Sequence, residues 1–186
     1  MASGSGRSWI AVLGAAAVIA AVMIACQFAP DPYAPKRLSD DVSVTGQITT
    51  AQVPLMRAKG FRTIVNMRID DEAPGQPNYA EMMHAVQDVK LGYGYVPLRK
   101  GPLAPVQIES LTTALRRLPK PALLYGEPKE HVARAWALAE ASKPGGLDAA
   151  TILAAVDAVG PSTEDIGAEV ESRIAARSKH RSGIAQ

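Results

Sequence analysis

The sequence predicts an α/β domain, a three-layer sandwich around a mainly parallel sheet, with a transmembrane helix ahead of it. Two observations carry the domain. Four short apolar or β-branched runs recur along the chain, and amphipathic segments at helical spacing separate them. Strands that alternate with helices pair in parallel through right-handed crossovers, and the helices then cover the sheet. The third observation is an uncharged apolar run near the N-terminus.

That run, "WIAVLGAAAVIAAVMIAC", spans Trp9 to Cys26 and continues through Gln27, Phe28 and Ala29. About 20 apolar residues cross a bilayer as a helix, and this segment lacks the polar face of a soluble core helix. Trp9 sits at its edge, as interfacial aromatics do. Residues 1–30 are therefore expected to be an uncleaved single-pass anchor. The alternative is a lipoprotein signal ending at "MIAC" with Cys26 lipidated. The bulky Ile24 and the length of the run argue against it. Residues 31–37, within the proline-rich "APDPYAP" and just beyond, read as a stiff linker. The domain is expected over residues 38–160, and a C-terminal helix and tail over residues 161–186.

Composition narrows the function. The 186 residues suffice for one ordinary domain and an appendage. A hydrophobic content of 47% supports a core, and an aromatic content of 5% points to Ala, Leu and Val inside it. Net charge is only +2, with no basic block, so no nucleic-acid partner is expected. Cys26 is the one cysteine, which excludes an intramolecular disulfide and a cysteine metal cluster. His84, His131 and His180 lack ligand-like spacing, so neither metal nor cofactor is expected.

Within the domain, "DVSVTGQ" (Asp41 to Gln47) is the first strand. Thr49 or Thr50 caps a helix that runs to Lys59 and closes at Gly60. "RTIVNM" (Arg62 to Met67) suits a buried strand. Tyr79, Met82, Met83, Val86 and Val89 form a helical stripe ended by Gly92, with His84 on the polar side. "YGYVPL" is the third strand, and Pro105 opens a helix with Ile108, Leu111, Leu115 and Leu118 inward. "PALLY" is the fourth. Helices follow over His131 to Ser142 and Leu147 to Val159. Ser162 then caps a last helix whose narrow stripe, Ile166, Val170 and Ile174, is expected to pack on the domain.

Ligands of such sheets bind at the carboxyl ends of the strands. Two polar loops leave those ends: "RIDDEAPGQPN" (Arg68 to Asn78) and Gly126 to Glu130. The second leads from a strand into a helix, where free N–H groups and the helix dipole favour an anion. Against that stand Glu127, Glu130 and Pro128, which has no N–H. Both loops as plain solvated connections is the competing reading.

The ordered phrases "VTGQIT", "GFRTIVNMRIDDE", "GYVPL" and "ALLYGEPKEHVARAWAL" resemble a bacterial family. Its members are phosphatase-like domains, free or fused to beta-lactamase-like hydrolases, and are related to dual-specificity phosphatases. The resemblance covers about two-thirds of the chain and implies a cysteine-phosphatase fold. It also implies a cysteine, four residues and an arginine, a loop length shared with rhodanese-type sulfurtransferases. In that chemistry a thiolate attacks, backbone N–H groups hold the oxygens and a guanidinium clamps them. Aligned through "LLY" and "WAL", Gly126 stands at the cysteine position and His131 at the arginine position, with Glu127, Pro128, Lys129 and Glu130 between. Glycine is no nucleophile, and an imidazole is not a permanent cation. Arg68, Asp70, Asp71 and Glu72 resemble the family's arginine-and-acid segment, where an aspartate serves as general acid. The competing reading pairs Arg68 with a carboxylate to order the loop. The expectation is a membrane-tethered, catalytically inactive domain with no catalytic residue, acting by binding to a partner the sequence does not name. The alternative is a hydrolase using Asp70, Asp71, Glu72 and His131 without a cysteine, and a weaker third reading is a structural envelope protein.

Overall fold

The computed structural model describes residues 34–160 and 165–183. The expected anchor, residues 1–30, with Cys26, lies outside the described residues, as does Ser162. Among the described residues no helix is long and apolar enough to cross a membrane.

Five strands form one sheet: β1 (Lys36–Arg37), β2 (Val42–Thr45), β3 (Thr63–Asn66), β4 (Gly92–Tyr95) and β5 (Ala122–Tyr125), in the spatial order β1-β2-β5-β3-β4. The four strands read from the sequence are parallel, with Val44 and Val65 both level with Leu124. β1 was not foreseen. It pairs antiparallel to β2, Lys36 opposite Val44, at the end of the segment read as linker. Its two exposed basic residues carry no apolar signal.

The sheet has helices on both faces. Side chains alternate along a strand, so Val42, Val44, Val65 and Leu124 enter one core and Ile64, Leu123 and Tyr125 the other. The first core is closed by α3 (Pro105–Arg117), α4 (Lys129–Ser142), α5 (Ala149–Asp157) and α6 (Gly167–Gly183). The second is closed by α1 (Val53–Ala58), which follows a 3-10 turn (Thr50–Gln52), and by α2 (Tyr79–Asp88). Three layers result, as expected.

Several boundaries differ from expectation. Gly92 does not end α2; Lys90 takes the left-handed conformation there (φ 57°), and Gly92 opens β4. A Cβ at Gly92 would come 2.8 Å from Thr63 Oγ1, so close strand packing is what requires glycine there. α4 starts at Lys129, two residues before His131, because extended Pro128 can serve as its N-cap. α5 is shorter than expected. Asp148 caps it, accepting from the Thr151 N–H at 3.0 Å.

The last helix shares the first core. Ile166 and Val170 are buried and Ile174 packs against them, so the stripe faces inward as expected. Arg177 fixes this packing by donating to the carbonyls of Glu140 (3.0 Å), Lys143 (3.2 Å), Gly146 (3.0 Å) and Leu147 (2.7 Å). These carbonyls end α4 and its following turn, where a cation also meets the helix dipole. Arg177→Ala is expected to cost about 2 kcal/mol, lowering Tm by about 4–8 °C. Arg177→Lys should recover only part of that, since an ammonium cannot reproduce the planar fork. Thermal melts of the three proteins check it.

Candidate functional site

The parallel strands place the loops after β2, β3, β4 and β5 at one edge of the sheet. The two loops singled out in the sequence follow adjacent strands, β3 and β5. Backbone bonds tie the strand ends from which they leave: the Met67 N–H donates to Tyr125 O at 3.0 Å, joining the ends of β3 and β5, and the Gly126 N–H donates to Thr45 O at 3.3 Å, at the end of β2.

Gly126 is buried, and the space a side chain would need is filled. A Cβ there would lie 2.5 Å from Val132 Cγ2. Val132, itself buried in the first turn of α4, is β-branched and restricted at χ1, so it does not swing aside freely. The two glutamates diverge. Glu127 is exposed, and its Oε2 lies 3.2 Å from where a Gly46 Cβ would be, beside the end of β2. The Glu130 side chain instead lies against Gly160, with Oε1 at 2.8 Å from the corresponding position. The expectation that both carboxylates stand against an anion in the loop is corrected for Glu130, which is drawn toward the segment after α5, while Glu127 lies exposed beside the end of β2. Lys129 is half-buried. Among the described residues no acceptor meets the N–H groups of Glu127, Lys129 or Glu130.

His131 is the third residue of α4. Its Nε2 sits 3.3 Å from Arg99 O in the loop after β4. A carbonyl only accepts, so this contact uses the Nε2–H form. The imidazole ties the start of α4 to the loop after β4 rather than standing free as a clamp.

In the loop after β3 Arg68 is paired with a carboxylate, Glu72. Asn66 Oδ1 accepts from the Arg68 N–H at 2.9 Å. The buried Arg68 side chain donates from Nε to Glu72 Oε2 at 3.0 Å and from Nη1 to Gln47 Oε1 at 2.8 Å, joining this loop to the one after β2. Asp70 Oδ1 accepts from the Tyr79 N–H at 2.8 Å and so anchors the start of α2. Asp71 is exposed and left-handed (φ 64°). Among the described residues no group of three or more His, Cys, Asp or Glu could hold a metal ion.

Sequence reasoning missed the tyrosines around this loop. Tyr79 lies tilted at 5.6 Å from Tyr93 and edge-on at 5.0 Å from Tyr95, while Asn66 Nδ2 donates to the Tyr93 hydroxyl at 3.1 Å. The "GYGY" phrase, which puts Tyr93 and Tyr95 on one side of β4, was the available signal. Burial pushes the Tyr93 phenol up to about 12 and the Tyr125 phenol beneath it further still. A phenol raised in the folded state binds its proton longer than in the unfolded chain. Its stabilising effect is whole below pH 10 and is lost as pH rises from 10 toward 12. Chemical denaturation at pH 9, 10.5 and 12 should show falling stability, with a smaller fall in Tyr93→Phe.

The fold defines a class. It is that of cysteine-phosphatase-like proteins: a candidate phosphatase from Neisseria meningitidis Z2491 matches with TM-score 0.62 at 19% identity, over 74% of this chain and 96% of that one. P. aeruginosa TpbA, in complex with pTyr, matches with TM-score 0.54 at 16% identity, over 81% of this chain and 94% of that one. Within that class the chain belongs to the family of the beta-lactamase hydrolase-like protein, phosphatase-like domain, whose model matches residues 35–143. The beta-lactamase hydrolase-like protein of Agrobacterium fabrum is 34% identical over 62 residues, which are 33% of this chain and 14% of that protein. The chain thus corresponds to a small part of that relative, and the resemblance read from the sequence is the family found.

Proposed function

We propose that this chain is a membrane-tethered phosphatase-like domain that has lost turnover and acts by binding. One observation carries the reading: at the position aligned with the family's nucleophile stands Gly126, and a Val132 methyl occupies the room that a side chain there would need. Phosphoryl and sulfur transfer through a covalent intermediate both need a nucleophile. The engagement of His131 with Arg99 and of Asp70 with Tyr79 supports the same reading. The half-exposed rings of Tyr79 and Tyr95 beside the acidic loop suit a protein partner, since aromatic side chains are enriched at interfaces. The tether rests on the uncharged run from Trp9 to Ala29.

The test is fractionation followed by assay. Full-length protein is expected in the membrane fraction and, once solubilised, to show no hydrolysis of aryl phosphate and no thiosulfate sulfurtransfer. Turnover that survives purification and disappears in His131→Ala or Asp71→Ala would favour the cysteine-free hydrolase.

A further inference from the structure

At the opposite edge of the sheet, where β2 and β5 begin, a cavity of about 150 Å³ opens between those strand starts and helices α3 and α4. Val42, Leu115 and Ala139 supply apolar wall, and Lys120, from the residue pair before β5, enters it. Lys120 Nζ is fully buried and has no hydrogen-bond partner among the described residues. A buried ammonium group with three donors and no acceptor is unfavourable unless something supplies one. The nearby carboxylates do not. Glu140 accepts from Lys143 Nζ at 3.4 Å and from the Leu147 N–H at 3.2 Å, and Asp41 is exposed.

We propose that this cavity binds a small carboxylate with a compact apolar body, its carboxylate on Lys120 Nζ. The charge of the ligand follows from the lysine, the apolar body from the walls. The size follows from the volume, since an apolar cavity of roughly 150 Å³ holds a benzene ring. Burial holds the Lys120 amine below its ordinary value, with Lys143 adding to the effect and Asp41 and Glu140 opposing it. A bound anion would favour the charged form and reverse that shift. A phosphate, with no apolar part to fill the walls, fits this cavity poorly. The site lies away from the Gly126 loop and does not depend on what that loop does.

Benzoate and its uncharged counterpart benzamide are the probes, titrated against the full-length chain by calorimetry. Benzoate is expected to bind at least about tenfold more tightly than benzamide, a difference of about 1.4 kcal/mol. Lys120→Met should remove that preference, and Thr112→Phe, at a half-buried α3 position lining the cavity, should weaken both ligands. A readout on the unaltered protein accompanies the variants: benzoate should protect Lys120 from reductive methylation, read by peptide mass spectrometry. Equal binding of the two probes, benzoate binding unchanged in Lys120→Met, or no protection of Lys120 at saturating benzoate would each overturn the proposal.

Discussion

A protein carrying Gly126→Cys and His131→Arg is expected to hydrolyse aryl phosphate at background rate, although it regains both side chains that the family's chemistry uses. The new Cβ would meet Val132 Cγ2 at 2.5 Å, so the thiol cannot take its place without displacing a buried, rotamer-restricted side chain. Pro128 still lacks an N–H for the oxyanion. Glu127, exposed beside the end of β2, raises the pKa of a nearby thiol and leaves less thiolate at neutral pH. Replacing His131 also removes its contact with Arg99 O. Function should return only when these obstacles go together. Gly126→Cys with Val132→Ala, and with Glu127 to His131 replaced by Arg-Ser-Gly-Thr-Arg, is expected to exceed the double variant by about a hundredfold, the scale of one oxyanion donor. Initial rates on folded protein, with aryl phosphate and with thiosulfate, compare the two. Equal rates would show that Val132, Pro128 and Glu127 do not matter.

Arg68→Ala is expected to be among the most destabilising changes near the site. Side-chain exposures of 8% for Arg68 and 15% for Glu72 mark a pair largely out of solvent. Removing the guanidinium leaves Glu72 uncompensated and Gln47 Oε1 without its donor. Breaking a buried pair from one side costs about 3–5 kcal/mol. Replacing both partners by apolar groups is far milder, so Arg68→Met with Glu72→Leu should be closer to the parent than Arg68→Ala alone. Urea unfolding of the single and double variants gives the comparison, and a cost below about 1 kcal/mol for Arg68→Ala would place the pair among ordinary surface bridges.

The fold was legible because its main strands are short apolar or β-branched runs set off by Gly, Pro and charge. β1 was not, since Lys36 and Arg37 join the sheet only through backbone register with β2. Gly92 misled because glycine after an amphipathic stripe reads as a helix stop, whereas here lysine takes the left-handed position. The candidate loops were legible from their polarity at strand ends, and the pairing of Arg68 with a carboxylate was among the readings. What fills the site was not. The Val132 methyl over Gly126 depends on how α4 packs on β5, and the direction of Glu130 depends on Gly160 in a distant segment. The tyrosine cluster and the Lys120 cavity likewise need several elements brought together.

The proposed loss of turnover implies that the loop from Gly126 to His131 does not hold an oxyanion, although the N–H groups of Glu127, Lys129 and Glu130 meet no acceptor among the described residues. Titration of tungstate, a phosphate mimic, into the native chain and into the full loop graft tests it most directly. Saturable binding is expected for the graft and none for the native chain up to millimolar concentrations. Saturable binding by the native chain, competed by phosphate and lost when the Gly126 to His131 loop is altered, would contradict it.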